Sequence, residues 1–218
     1  MASIDDIVQD YGIVLRGFLL TIELFLVAGL ASLVVGVLLA AARVGPIPVL
    51  AKAGTVYVAI FRNTPLLMVF VFVFIAMPRL GLNYPFFAKG CIALTAYTAA
   101  FVCEAFRSGI NSVSLGQAEA SRAVGLTFGQ SMRHVILPQA LRAVVPPLAS
   151  VMIALAKNTS IAAAFGLAEA TSRMRFFTNN NADDRTLIFL TFAVGYIIIV
   201  ELVSLGSHGL ERRWRVAR

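Results

Sequence analysis

Five stretches of the chain are apolar over most of their length, at about 18–42, 56–77, 88–106, 138–156 and 187–206, with polar and charged residues gathered between them. A helix crosses a bilayer with about 20 predominantly apolar residues, so each stretch reads as one span. The pattern predicts an all-α, polytopic membrane protein with about five transmembrane helices. Ahead of the first span, Ile4, Ile7, Val8, Tyr11, Val14 and Leu15 recur at helical spacing opposite Asp5, Asp6, Gln9 and Asp10. That spacing predicts an amphipathic helix over 1–16 lying on the membrane surface, in place of an irregular tail. Residues 17–210 then form the membrane domain and 211–218 a basic tail.

Composition narrows the function class. Of 218 residues, 59% are hydrophobic and 13% charged, against roughly 25% charged in soluble domains, which argues against a water-soluble enzyme. The net charge of +7 would ordinarily raise nucleic acid as a partner, but the basic residues flank apolar runs, as they do in proteins oriented in a lipid bilayer. No nucleic-acid partner is expected. The acidic start at Asp5-Asp6 is unlike a secretory signal, so the first span should be retained. Cys91 and Cys103 would lie about 18 Å apart along one helix, too far to be bridged.

Five spans place the termini on opposite sides. Arg212-Arg213-Trp214-Arg215 is the densest basic cluster, so the C-terminus is expected in the cytoplasm and the N-terminus outside. The loops near 43–55 and 107–137 are then cytoplasmic, and those near 78–87 and 157–186 face outward. Ala28, Ser32, Gly36 and Ala40 form a stripe of small residues on the first span, suited to close packing within this chain or against a partner.

The longest cytoplasmic loop, about 111–138, carries the most informative pattern. Ser114 with Gln117 and Thr127 with Gln130 each make a capping-box signature, and Gly125 stands where a helix ends in the left-handed conformation. Two short helices are expected to meet at that glycine, the first built from Ala118, Ala120, Ser121 and Ala123, small enough to enter a groove on another protein. Pro138 is expected to start the next helix, at a position where proline is tolerated.

This loop resembles the cytoplasmic signature of the membrane-spanning permease subunits of ATP-binding-cassette importers: Glu-Ala-Ala, three residues, Gly, nine residues, Ile-x-Leu-Pro. It reads here Glu119-Ala120-Ser121, Gly125, Val135-x-Leu137-Pro138, with Ser and Val as departures of conservative size. Other segments are similar to the polar amino-acid branch of that family, which takes glutamate, glutamine, histidine or arginine. Arg62-Asn63-Thr64-Pro65-Leu66-Leu67 resembles the opening of its second core helix, Val102 to Ile110 the end of its third, and Lys157-Asn158-Thr159-Ser160 the turn after its fourth. The likeness covers roughly 10–210 and is strongest to glutamate-type permeases. It implies the type I importer fold, a place in a bacterial cytoplasmic membrane, and docking of Glu119, Ala120, Ser121, Gly125, Leu137 and Pro138 on a cytoplasmic ATPase dimer. A second permease subunit, identical or homologous, an extracytoplasmic binding protein and an amino-acid substrate are also implied.

The residues support that division of labour. Lys52, Lys89 and Lys157 each follow alanine, so the chain has no Gly-Lys pair and no phosphate-binding Walker loop; ATP and Mg²⁺ are expected on the partner, and no catalytic residue or cofactor on this chain. His134 and His208 lack metal-site spacing. Glu104 and Arg107 are one turn apart and can pair, either as a structural ion pair or in contact with substrate. Glu23 and Glu201 lie within or near spans without an evident partner. Pro146-Pro147 is expected to break the fourth span at mid-depth, where broken helices line cavities or merely kink a packed helix. Asn158 to Ala170 reads as a short helix capped by Thr159 or Ser160, and Thr178 to Asp184 as a polar loop.

Charged substrates are met at depth by freed backbone groups at helix breaks. The expected pathway walls are therefore Arg62, Asn63, Thr64 and Pro65 at one break and Lys157, Asn158, Thr159 and Ser160 at another, with Glu104 nearby. The alternative function is a secondary transporter or channel driven by an ion gradient.

Overall fold

The first apolar stretch folds as one helix far longer than its hydropathy requires. In the computed structural model, which describes residues 10–181 and 183–214, helix α1 runs Tyr11–Val44, about 51 Å of helix at 1.5 Å per residue. Residues 1–9 of the expected surface helix, and 215–218 of the basic tail, lie outside the described residues.

The second stretch is not a single span. Helix α2, Pro48–Asn63, stops at Thr64-Pro65, and α3, Leu66–Arg79, leaves at 106° to it. Hydropathy over 56–77 is continuous across this bend, which is why the pattern predicted one helix. Proline disfavours helical backbone in the residue before it, and Thr64 is extended at φ −101°, ψ 129°. Two carbonyls near the end of α2 accept from local side chains: Asn63 Nδ2 donates to Ala59 at 2.8 Å and Thr64 Oγ1 to Ile60 at 2.8 Å.

Helix α4 is Phe86–Asn111 and α5 is Leu115–Ala123. Helix α6 then runs without interruption over Phe128–Phe165. It does not restart at Pro138. A π-helical turn at Met132–Ile136 widens the helix where the Pro138 ring would otherwise crowd the preceding turn. Nor do Pro146 and Pro147 break it; both stand inside the α-helical stretch Leu137–Asn158, so the expected mid-membrane break is absent. Thr159–Phe165 is a 3₁₀ continuation of α6 closed by Gly166 at φ 88°. It is not a separate capped helix: Thr159 and Ser160 donate backwards, to Ala156 and Lys157 at 2.7 Å each. Helix α7, Ala170–Asn180, takes up part of the segment expected as loop, and α8 is Arg185–Trp214.

Four helices among the described residues are long and apolar enough to span, and the bent α2–α3 pair makes five if it counts as one. Helix α4 is the centre, packed along α1 and against α2 and α6, while α7 and α8 close one end. The stripe Ala28, Ser32, Gly36 and Ala40 is buried, and a Cβ on Gly36 would lie 2.5 Å from Val102, so those small residues bring α1 onto α4 within this chain. Gly109 does the same for α4 and α6, its missing Cβ falling 2.3 Å from Val144 Cγ2 and 2.9 Å from the Ala140 carbonyl. Since a backbone atom cannot move aside, Gly109→Ala should cost about 1–3 kcal/mol by overpacking. Thermal unfolding in detergent should show the loss, with Gly116→Ala, which meets nothing within 4 Å, as the unaffected control.

Candidate functional site

The loop between α4 and α6 is built to hold a short helix outward. Helix α5 ends with Gly125 N–H on the Arg122 carbonyl at 2.9 Å and Leu126 N–H on the Ser121 carbonyl at 3.1 Å, the paired bonds of a Schellman turn, and Gly125 takes the left-handed conformation at φ 84°. Thr127 and Gln130 form the expected capping box at the start of α6. The box expected at Ser114 does not form, its side chain making no cap bond. Ser121, a departure from the family signature, ties the two helices together: it is buried, donates to Ala118, and lies 2.8 Å from the Ser131 hydroxyl. Glu119, Ala120, Gly125 and Pro138 are exposed and Leu137 is half-buried. Around them stand apolar side chains with nothing over them, Leu115 at 81%, Val124 at 76% and Phe128 at 61% exposure.

Glu104 and Arg107 pair, with Nη2 to Oε2 at 2.9 Å and Nε to Oε1 at 3.3 Å. Two further guanidiniums reach the same carboxylate: Arg43, from the end of α1, and Arg62, from α2, at 3.3 Å. Arg43 was not among the expected residues, because 61 positions separate it from Glu104 and only the packing of α1 on α4 joins them. With Thr55, Asn63 and others, these four line an open cleft of about 430 Å³.

The Arg62 guanidinium sits 5.8 Å over the Phe101 ring, and Phe101 also walls a second cavity of about 380 Å³ between α4 and α6, lined by Tyr97, Thr98, Ser150 and Asn158 among others. Thr98 is 3% exposed and its hydroxyl has no hydrogen-bond partner. One face of α4, through Tyr97, Phe101 and Glu104, therefore runs from this groove to the charged cleft. Tyr97 and Phe101 are four apart and Glu104 three further on, a helical spacing visible in the sequence once α4 is taken as the pathway helix.

The run Lys157 to Ser160 is split among several surroundings. Asn158 lines the groove, Thr159 is buried in packing, and Lys157 and Ser160 border a different cavity of about 280 Å³ against α7 and α8, with Thr171 and Tyr196. Lys157 and Ser160 are thus not walls of the groove that holds Asn158. At the other break, the Asn63 amide donates to the Ala59 carbonyl and the Thr64 hydroxyl to the Ile60 carbonyl, so these two side chains are engaged within α2, and Pro65 sets the bend.

A buried acid that the pattern did not single out stands where α1, α7 and α8 meet. Glu169 accepts from the Tyr196 hydroxyl at 2.6 Å, Thr21 Oγ1 at 3.3 Å and Ser172 N–H at 3.0 Å. Burial pushes its carboxyl above the usual carboxylate range, and the bond from Tyr196 opposes that push. It caps α7 and ties the three helices. Among the described residues, no group of three His, Cys, Asp or Glu side chains could hold a metal ion.

Residues 32–216 match the family model described as the inner membrane component of binding-protein-dependent transport systems. The chain is 37% identical to the glutamate transport system permease protein GluC of Corynebacterium efficiens, over 94% of this chain and 95% of that one. It is 38% identical to the probable glutamine permease protein GlnM of Bacillus subtilis, over 94% of each. The fold is similar to a solved amino acid ABC transporter with histidines, at a TM-score of 0.88 and 27% identity, covering 95% of this chain and 97% of that one. The chain belongs to the family of binding-protein-dependent transport system inner membrane components.

Proposed function

We propose that this chain is the translocating subunit of an ATP-driven importer for polar amino acids of the glutamate and glutamine class. The observation that carries the reading is the outward-held helix α5, rigidly ended at Gly125 and bearing uncovered apolar side chains, in a chain whose relatives are named as glutamate and glutamine permeases. A cytoplasmic ATPase dimer, which binds ATP and Mg²⁺, receives α5. Its closure moves α5 as a lever and switches the membrane core between inward and outward access. A second permease subunit completes the pathway, and an extracytoplasmic binding protein delivers the substrate on the side of α7. The N-terminus lies outside and the C-terminus in the cytoplasm. Single cysteines at Val124 and Asn180, in a chain lacking Cys91 and Cys103, should accordingly label from opposite sides with an impermeant reagent, Asn180 from outside.

The groove between α4 and α6 is the substrate contact in this reading. An amino acid leaving water needs partners for its charges and polar side chain. The unpaired Thr98 hydroxyl and the Asn158 amide offer hydrogen bonds, and Arg62 offers a positive charge at the groove's end. Thr98→Val separates this role from a structural one. The hydroxyl makes no bond in the fold, so the variant should be as stable as the parent or slightly more so. Uptake of labelled substrate should nevertheless fall by roughly tenfold, the value of one hydrogen bond. Unchanged uptake in both Thr98→Val and Asn158→Ala would move the substrate path elsewhere.

A further inference from the structure

The charged cleft carries more positive charge than the fold consumes. Arg43, Arg62 and Arg107 face a single carboxylate, Glu104, which leaves two uncompensated charges in one cleft. Guanidiniums do not deprotonate in proteins, and each carries five N–H donors, whereas one carboxylate offers about four acceptor sites. Most of these donors therefore have no partner on Glu104. Arg62 and Arg107 remain 47% and 37% exposed toward the opening, while Arg43, at 14%, forms its inner wall. A cation–π contact with Phe101, on the same helix as Glu104, holds Arg62 in place.

We propose that this cleft binds a phosphate-type oxyanion that is not the transported solute. Inorganic phosphate or a phosphomonoester, with about −1.5 to −2 charge at neutral pH, would cancel most of the surplus, and a lipid phosphodiester would cancel one charge while presenting two free oxygens to guanidiniums that bind such groups in bidentate fashion. The volume of about 430 Å³ accommodates a phosphate with its substituent. Arg43 stands one residue from the end of α1 and Arg107 in the last turns of α4, so the cleft lies near the ends of two helices long and apolar enough to span. Basic pockets between transmembrane helices on the cytoplasmic side take anionic lipid head groups, and the orientation proposed above puts this cleft on that side. The two sources of the phosphate are such a head group and inorganic phosphate from solution. The site does not depend on which amino acid is carried.

The test follows thermal unfolding of the purified importer complex in detergent at constant ionic strength, titrated separately with phosphatidylglycerol, phosphatidylcholine, inorganic phosphate and glutamate. A saturable rise in the unfolding midpoint is expected with phosphatidylglycerol or with inorganic phosphate, and none with phosphatidylcholine. Phosphatidylglycerol alone would identify a lipid site, and inorganic phosphate alone or with it a site for the bare anion. Arg62→Gln removes one guanidinium while Glu104 keeps two. Thr55→Glu adds a carboxylate to the lining and leaves the arginine cluster untouched, so it remains informative if Arg62→Gln fails to fold. Each should raise the half-saturating concentration at least tenfold. The proposal is overturned if neither phosphatidylglycerol nor phosphate shifts the midpoint, if glutamate produces a rise that Thr55→Glu weakens and Thr98→Val does not, which would make the cleft a cargo site, or if Thr55→Glu responds to phosphatidylglycerol and phosphate like the parent, which would place the effect elsewhere in the complex.

Discussion

Glu104→Gln is expected to destabilise the permease more than loss of any one of the arginines around it. The carboxylate joins α1, α2 and α4 through Arg43, Arg62 and Arg107, and its removal leaves three cations facing one another beside a neutral amide. Breaking a buried ion pair from one side costs about 3–5 kcal/mol. Glu104 keeps 19% of its side chain exposed, which favours the low end, near 3 kcal/mol. For a chain of this size that is a fall of roughly 6–12 °C in the unfolding midpoint. Arg43→Gln or Arg107→Gln leaves Glu104 with two partners and removes one surplus positive charge, so it should cost about 1.5 kcal/mol, the low end for a charge-assisted hydrogen bond. The double substitution Glu104→Gln with Arg62→Gln should recover part of the loss, because it removes one repelling charge. Equal losses for Glu104→Gln and Arg43→Gln would show that the cluster is not organised around the carboxylate.

The second large effect falls on coupling and leaves the fold alone. Leu115 is 81% exposed, so Leu115→Glu removes no core contact and the unfolding midpoint should stay within about 1 °C, as surface changes usually do. If α5 enters a groove on the ATPase, the leucine's burial there contributes about 1.5–3 kcal/mol. Its loss, with a carboxylate forced into the groove, should reduce ATPase retention on the permease by roughly 10- to 100-fold and abolish uptake in proportion. Gly125→Val acts on the same helix by a different route. A Cβ there meets nothing within 4 Å, but φ is 84°, so the cost is backbone strain of about 1–2 kcal/mol and a redirected α5. Hydrolysis that continues without uptake is its expected signature. Wild-type retention and uptake in both variants would remove α5 from the coupling path.

Local signals in the sequence proved reliable where one residue's chemistry decides the outcome. Gly125, the Thr127–Gln130 box and the Glu104–Arg107 pair depend on neighbours within a turn or two, and all are present. Apolar patterning located the spans but not their continuity. It joined α2 and α3 across a 106° bend because lipid-facing and core-facing residues are equally apolar on both sides of Thr64-Pro65. It expected a break at Pro146-Pro147 from the two missing N–H groups, yet α6 stays helical through both. Ser114 and Gln117 match a box by spacing, yet their side chains face water, which satisfies the same donors. The groove was least legible: Thr98 reads as an ordinary small residue on a span, and Asn158 and Lys157 are adjacent in sequence but line different cavities.

The central claim is that this chain moves an amino acid by ATP hydrolysis on another subunit. The direct measurement is uptake of labelled glutamate and glutamine into proteoliposomes holding the permease with its ATPase, with the binding protein outside and ATP inside, in the presence and absence of ionophores that collapse ion gradients. Uptake of one of these solutes that requires enclosed ATP and persists with ionophores is the expected result. Uptake that proceeds without ATP and disappears when the gradients collapse would contradict it and establish the chain as a gradient-driven carrier.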